Sequence, residues 1–233
     1  MYRSNIRRDR ENKIELFYFI SPEETEVIDE NMKSGIVIID KEKEITSQAV
    51  VSKVKKILNV KKVGHIGTLD PLATGVLPVL IGSCTKLSKY MIDHDKTYIA
   101  TLKLGIKKDT GDEEGKIIET KQVPAFDENK IHNIFSIMTG KQMQTPHKYS
   151  AVKINGKKLY EYAREGKDID IPEREIQIYS LNLIAFDRDE ITFEVKCSKG
   201  TYIRVLCETI AEKLGTVRLH ETIKKNERRQ IQY

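Results

Sequence analysis

The 233-residue sequence predicts a fold of the α+β class, and three observations carry that reading. Strand-like and helix-like segments follow one another in mixed order, without the strict alternation of a doubly wound sheet. Two late segments, EIQIYSLNLIAF and EITFEVKCS, alternate apolar and polar residues with a period of two. Only a tight turn at 187–189 separates them, so they read as an antiparallel pair. Finally, helical spacing is confined to a few separated stretches, as expected of helices that flank a sheet.

Each element follows in order. Residues 1–33 read as an N-terminal extension ahead of a main domain at 34–233: a basic stretch, the aromatic run ELFYFI, then SPEETEVIDE with a helix-starting Ser21-Pro22. GIVIID at 35–40 reads as a buried strand. Thr46-Ser47 can cap a helix whose apolar positions Val50, Val54, Ile57 and Leu58 share one face, with Lys53, Lys55 and Lys56 elsewhere. A strand at 76–81, a short helix near 86–91 and a strand in KTYIATLKLG (96–105) come next. The polar loop KKDTGDEEG (107–115) leads to another strand and a helix around 127–138. KINGKKLYEYAREG (153–166) joins an Asn155-Gly156 turn to a short helix. After the antiparallel pair, TYIRVLCETIAEKLG reads as a last helix that stops at Gly215.

Composition excludes several classes. The longest apolar run, around 76–81, is far short of the roughly 18 residues of a membrane span, and MYRSNIRRDRENK lacks the apolar centre of a secretory signal. Cys84, Cys197 and Cys207 form no CxxC pair, and the five histidines lie far apart. A reduced, cytoplasmic protein without metal or membrane attachment is expected. The formal net charge is +5; residues 1–13 hold +3 and residues 213–233 hold +4, which leaves the middle at −2. Basic ends on a near-neutral body suit either a polyanion partner or plain solubility.

The chemistry-bearing residues concentrate in two stretches. GHIGTLDPLATGVLPVLIG (64–82) holds one acid, Asp70, where a loop turns into a buried strand. Asp-Pro is a common turn starter, and a lone carboxylate can equally be a nucleophile, a base or a cap. His65, five residues earlier, reads as a turn histidine or a site residue. The phosphate-loop signatures GKS, GKT and GxGxxG are missing. Tyr98, in the strand that opens at Lys96, reads as core or as an aromatic surface for a ligand. CSKGTYIR (197–204) crowds Lys199, Thr201, Tyr202 and Arg204 at a strand-to-helix junction, where free N–H groups favour anions.

GHIGTLDPLATGVLPVLIG resembles the catalytic motif of the TruB-type pseudouridine synthases. KTYIATLKLG, DTGDEEG, QTPHKYSAVKINGKKLYEYAREG and CSKGTYIR follow in the family's order, so the resemblance spans roughly 35–215. It implies a mixed, largely antiparallel sheet with flanking helices and a central catalytic cleft. The implied activity is a cofactor-free, metal-free isomerisation of uridine 55 in the tRNA T-loop to pseudouridine, with the target base flipped out of its stack. The implied partner is the T-arm stem-loop and the implied state a monomer. By the same resemblance Asp70 is the catalytic aspartate that starts cleavage of the uracil–ribose bond, and Arg204 is the arginine that pairs with it and keeps it charged. Tyr98 stacks on the target base and takes part in catalysis, Tyr202 lines the pocket, and His65 stands near the place the flipped nucleotide leaves. Lys41 is a phosphate contact, and Ile223 stands for the family leucine against the base.

The chain departs from the pattern at four places. Glu42 and Glu44 replace a proline and a glycine in DKEKEITS, and His147 replaces the second proline of QTPHKYSA. The residues ahead of the first strand are longer than usual. IKKNERRQIQY stands at the C-terminus without a complete RNA-binding domain after it. An alternative is therefore an RNA-binding or tRNA-folding factor with weak or lost turnover; a third reading is a hydrolase of small nucleosides that uses Asp70.

Overall fold

In the computed structural model the described residues are 17–20, 33–91, 94–108 and 116–225. They divide into two compact units, one built from residues 1–94 with 224–233 and one from residues 95–223. The helix start at Ser21, most of the 107–115 loop and the last eight residues lie outside the described residues.

The first unit is a small mixed sheet with helices. Strand β1 (Phe17–Ile20) runs parallel to β2 (Gly35–Lys41), Phe17 opposite Ile36. Helix α1 (Ser47–Ile57) is capped by Thr46, whose side chain accepts from the Ala49 N–H, and it buries Val50, Val51 and Val54. Each fully buried valine contributes about 1.5–3 kcal/mol relative to exposure. Strand β3 (Val63–His65) and β2 both pair antiparallel with β4 (Thr74–Ile81). A 3-10 turn at Gly82–Leu87 and helix α2 (Ser88–Met91) follow. Two residues from the far end of the chain complete the sheet: Lys224 and Lys225 pair parallel with Thr74 and Gly75. Gly75 has φ 105°, and a methyl group there would run into the Lys225 carbonyl, so only glycine fits.

The second unit is an antiparallel sheet faced by helices. It contains β5 (Lys96–Leu104), the ribbon β6 (Ile106–Lys108) with β7 (Ile117–Thr120), α3 (Glu128–Met138) and the edge strand β8 (Gly140–Gln144). The hairpin β9 (Lys153–Ile154) and β10 (Lys157–Lys158) turns at Asn155-Gly156 and leads into α4 (Leu159–Arg164). The long pair β11 (Arg174–Asp187) and β12 (Glu190–Cys197) precedes α5 (Ile203–Leu214) and β13 (Arg218–Lys225), whose last two residues belong to the first unit. Sheet order here is β13-β5-β12-β11-β8. Phe135, Phe193, Ile191, Leu206 and Ile210 sit in one buried core between sheet and helices. The α+β class and the largely antiparallel pairing agree with the sequence. The sequence does not predict β3, β8 or β13, and each is short, or polar enough to read as loop.

Candidate active site

Asp70 opens a reverse turn: its carbonyl accepts from the Ala73 N–H at 3.1 Å, with Pro71 at the second position. Leu69 and Ala73 are buried on either side, while Asp70 itself is exposed. Both shoulders of the turn are fixed. On one side the buried Ser47 hydroxyl donates to the Leu69 carbonyl at 3.0 Å and accepts from the Leu69 N–H at 2.9 Å. On the other, the Pro71 carbonyl accepts from the Glu44 N–H at 2.8 Å and from the Lys41 ammonium at 3.0 Å. The carboxylate is thus presented outward from a backbone with little freedom to shift.

Lys41 corrects the sequence reading. Its side chain is 1 % exposed, and its ammonium donates to the carbonyls of Glu42 and Ile45, both at 2.8 Å, as well as to Pro71. An ammonium has three donors, so none remains for a phosphate. Lys41 is a clamp that binds the 42–45 loop to the Asp70 turn. Burial holds its pKa below that of an ordinary lysine, and the negative charge of Asp70 opposes that shift. His65 is half-buried, with Nδ1 3.1 Å from the Gly67 carbonyl, which assigns the proton to Nδ1. Asp70, His65 and Lys41 all stand in the first unit.

The other sequence-assigned residues stand in the second unit. Between β12 and α5 the chain is tied to β11: Ser198 N–H donates to the Gln177 carbonyl at 2.8 Å, and Gln177 N–H donates to the Ser198 hydroxyl at 2.9 Å. Thr201 donates to the Ser198 carbonyl at 2.9 Å, which closes the turn. Tyr202 then caps α5 in extended conformation. Its backbone is held at both ends by one side chain, since Gln144 donates to the Tyr202 carbonyl at 3.1 Å and accepts from the Tyr202 N–H at 2.8 Å. Arg204, half-buried in the first turn of α5, places Nη1 3.5 Å from His147 Nδ1. Tyr98 lies on β5 opposite Val195, half-buried against the same core that Ile223 packs on from β13.

Sequence reasoning misses Ser47 and Gln144 as site supports. Ser47 reads with Thr46 as a cap, and Gln144 sits in a quoted motif without an assigned role. In both cases the partner is a backbone group more than twenty residues away, which no local pattern records. Among the described residues no group of three or more His, Cys, Asp or Glu side chains is placed to hold a metal ion, and no helix is long and apolar enough to cross a membrane.

Comparison with known proteins follows the same residues. Residues 55–203 match the model of the TruB family pseudouridylate synthase N-terminal domain, a span that contains His65, Asp70, Tyr98, His147 and Tyr202. The chain is 49 % identical over 183 residues to tRNA pseudouridine synthase B of Hydrogenovibrio crunogenus, which covers 78 % of this chain and 60 % of that protein. It is 48 % identical over 189 residues to the protein of the same name from Psychrobacter cryohalolentis, covering 79 % of this chain and 53 % of that one. The chain therefore spans little more than half the length of these relatives. Among solved structures, a Cbf5–Nop10–Gar1 complex superposes with a TM-score of 0.64 and 27 % identity over 84 % of this chain and 48 % of that one. A family match over more than half of the chain, around an outward-held aspartate, makes this protein a member of the TruB family of pseudouridylate synthases.

Proposed function

We propose that this protein isomerises uridine to pseudouridine in tRNA, at the T-loop uridine 55, with Asp70 as the catalytic carboxylate. The observation that carries the reading is the Asp70 turn, clamped on both shoulders by Ser47 and by Lys41 with the Glu44 N–H, within the stretch that matches the family. A nucleophile or base held this way meets its target without reorganisation of its own backbone. The reaction is redox-neutral: the N–glycosidic bond breaks, the uracil turns, the base rejoins through C5, and the proton lost from C5 is balanced by one gained at N1. No external reagent is consumed.

In this reading Arg204 pairs with Asp70 and keeps it ionised once the flipped nucleotide excludes water. Tyr98 provides a ring for the extruded base, Tyr202 and Ile223 line its pocket, and His65 stands where the nucleotide left its stack. Gln144 acts indirectly, by fixing the α5 N-terminus from which Tyr202 and Arg204 project.

The test is incubation of the full chain with an unmodified tRNA transcript, followed by pseudouridine mapping at nucleotide resolution. One modified T-loop uridine is expected, and Asp70→Asn should form none while binding tRNA within about tenfold of wild type. Turnover by Asp70→Asn would falsify the role of Asp70. The exposed acids Glu42 and Glu44 favour a second reading, an RNA-binding factor with little or no turnover. Tight tRNA binding without any pseudouridine is its expected outcome.

A further inference from the structure

His147 occupies a place that the reaction above does not use. Where the resembling motif has a second proline this chain has an imidazole, and its Nδ1 faces two donors at once. The Tyr149 N–H donates to it at 3.2 Å, and the Arg204 guanidinium lies 3.5 Å away. A nitrogen that accepts from two N–H groups cannot carry a proton, so the ring is neutral with its hydrogen on Nε2. The ring is half-buried and lies against Tyr149, with centroids 5.8 Å apart. The loop on which it stands is itself anchored: Gln144, three residues earlier, is buried and holds Tyr202, and Pro146 is buried as well.

We propose that His147 is a positioning residue for Arg204, which it orients through an unprotonated Nδ1 and releases when the ring takes up a proton. This rests on the role given to Arg204 under Proposed function. The groups that face the imidazole include the Arg204 guanidinium from α5 and, from its own loop, the Tyr149 ring and N–H, with the exposed Lys148 ammonium next in sequence and 5.7 Å from the centre of the Tyr149 ring. Protonation turns Nδ1 from an acceptor into a donor and sets a cation beside a guanidinium. Both changes push Arg204 away from the direction in which the neutral ring holds it. A proline at 147 offers no such group, so the pH sensitivity belongs to this chain's own residue rather than to the motif.

The test is single-turnover pseudouridine formation on an unmodified tRNA transcript from pH 5.5 to 7.5, by full-length wild type, His147→Asn and His147→Phe. The wild-type rate should fall toward the acid end of that range, as the ring takes up its proton and Nδ1 ceases to accept. His147→Phe, which lacks an acceptor, should be slower by about tenfold or more at pH 7.5. His147→Asn, whose Oδ1 can stand where Nδ1 stood, should restore most of that rate and lack the acid limb. Superimposable pH profiles of wild type and His147→Asn would overturn the proposal, as would a His147→Phe protein as fast as wild type. If wild type forms no pseudouridine at any pH, the activity reading fails by itself. The His147 contact is then decided by nitrogen NMR of the ring: an Nε2–H tautomer at pH 7.5 whose Nδ1 signal moves in Arg204→Met upholds it, and an Nδ1–H tautomer overturns it.

Discussion

Glu44 stands at φ 69°, in the left-handed region that favours glycine, and its side chain is exposed. The conformation is imposed because its N–H must reach the Pro71 carbonyl. Glu44→Gly should therefore stabilise the protein by about 1 kcal/mol, read as a higher urea midpoint at unchanged slope. A lower midpoint would mean that the glutamate side chain contributes an interaction worth more than the strain. Lys41 makes the complementary case. Its burial makes the charged form costly, and three carbonyls and the nearby Asp70 offset that cost. Lys41→Met leaves those carbonyls without their donor and should lose about 2–4 kcal/mol in the same titration. Asp70 is legible in the sequence because Asp-Pro in an apolar run is unusual for its surroundings. The burial of Lys41 is not, since a lysine in DKEKE reads as solvated until the Pro71 carbonyl, thirty residues on, is placed above it.

At the level of elements, α1, α3, α5 and the β11–β12 pair are readable because each carries its own period and its own stop. Thr46 and Asp127 cap their helices, and Gly215 ends α5 at φ 89°. The edge strand β8 is not readable: GKQMQ has no alternation, and it exists because Arg174–Ile178 of β11 offers it a partner. The same holds for the N-terminus of α5, whose position depends on Gln144 rather than on its own cap. Cys197 closes β12 just before that junction, fully buried, and burial pushes its thiol up to about 11. The unfolded chain ionises this thiol near its ordinary value while the folded chain does not. The folded state then binds the extra proton, so stability is complete below about pH 9.0 and declines as pH rises toward 11, by about 2–3 kcal/mol. Cys197→Ala should flatten that alkaline decline in denaturation midpoints from pH 8 to 11. An equal decline in both proteins would assign it to other groups.

On the scale of the whole molecule, charge and connectivity matter most. Of the C-terminal cations, Lys224 is exposed but Lys225 is 2 % exposed and cannot face a polyanion; Arg228 and Arg229 lie outside the described residues. Neutralising Lys224, Arg228 and Arg229 together should weaken tRNA binding and lower its salt slope by up to about 0.9 for each duplex phosphate that is no longer neutralised. Titrations at two salt concentrations measure this, and an unchanged slope would make the tail a solvated face. Connectivity adds a matter of timing. Gly75, five residues after Asp70, has Lys225 as its parallel neighbour, and 150 further residues must be added before Lys225 is in place. At about 5–20 residues per second, translation supplies that neighbour roughly 8–30 s after Gly75 itself. While the chain is still being synthesised, the strand that leads away from the Asp70 turn has one open flank. The segment with the most specific sequence signature is thus among the last in its unit to be completed.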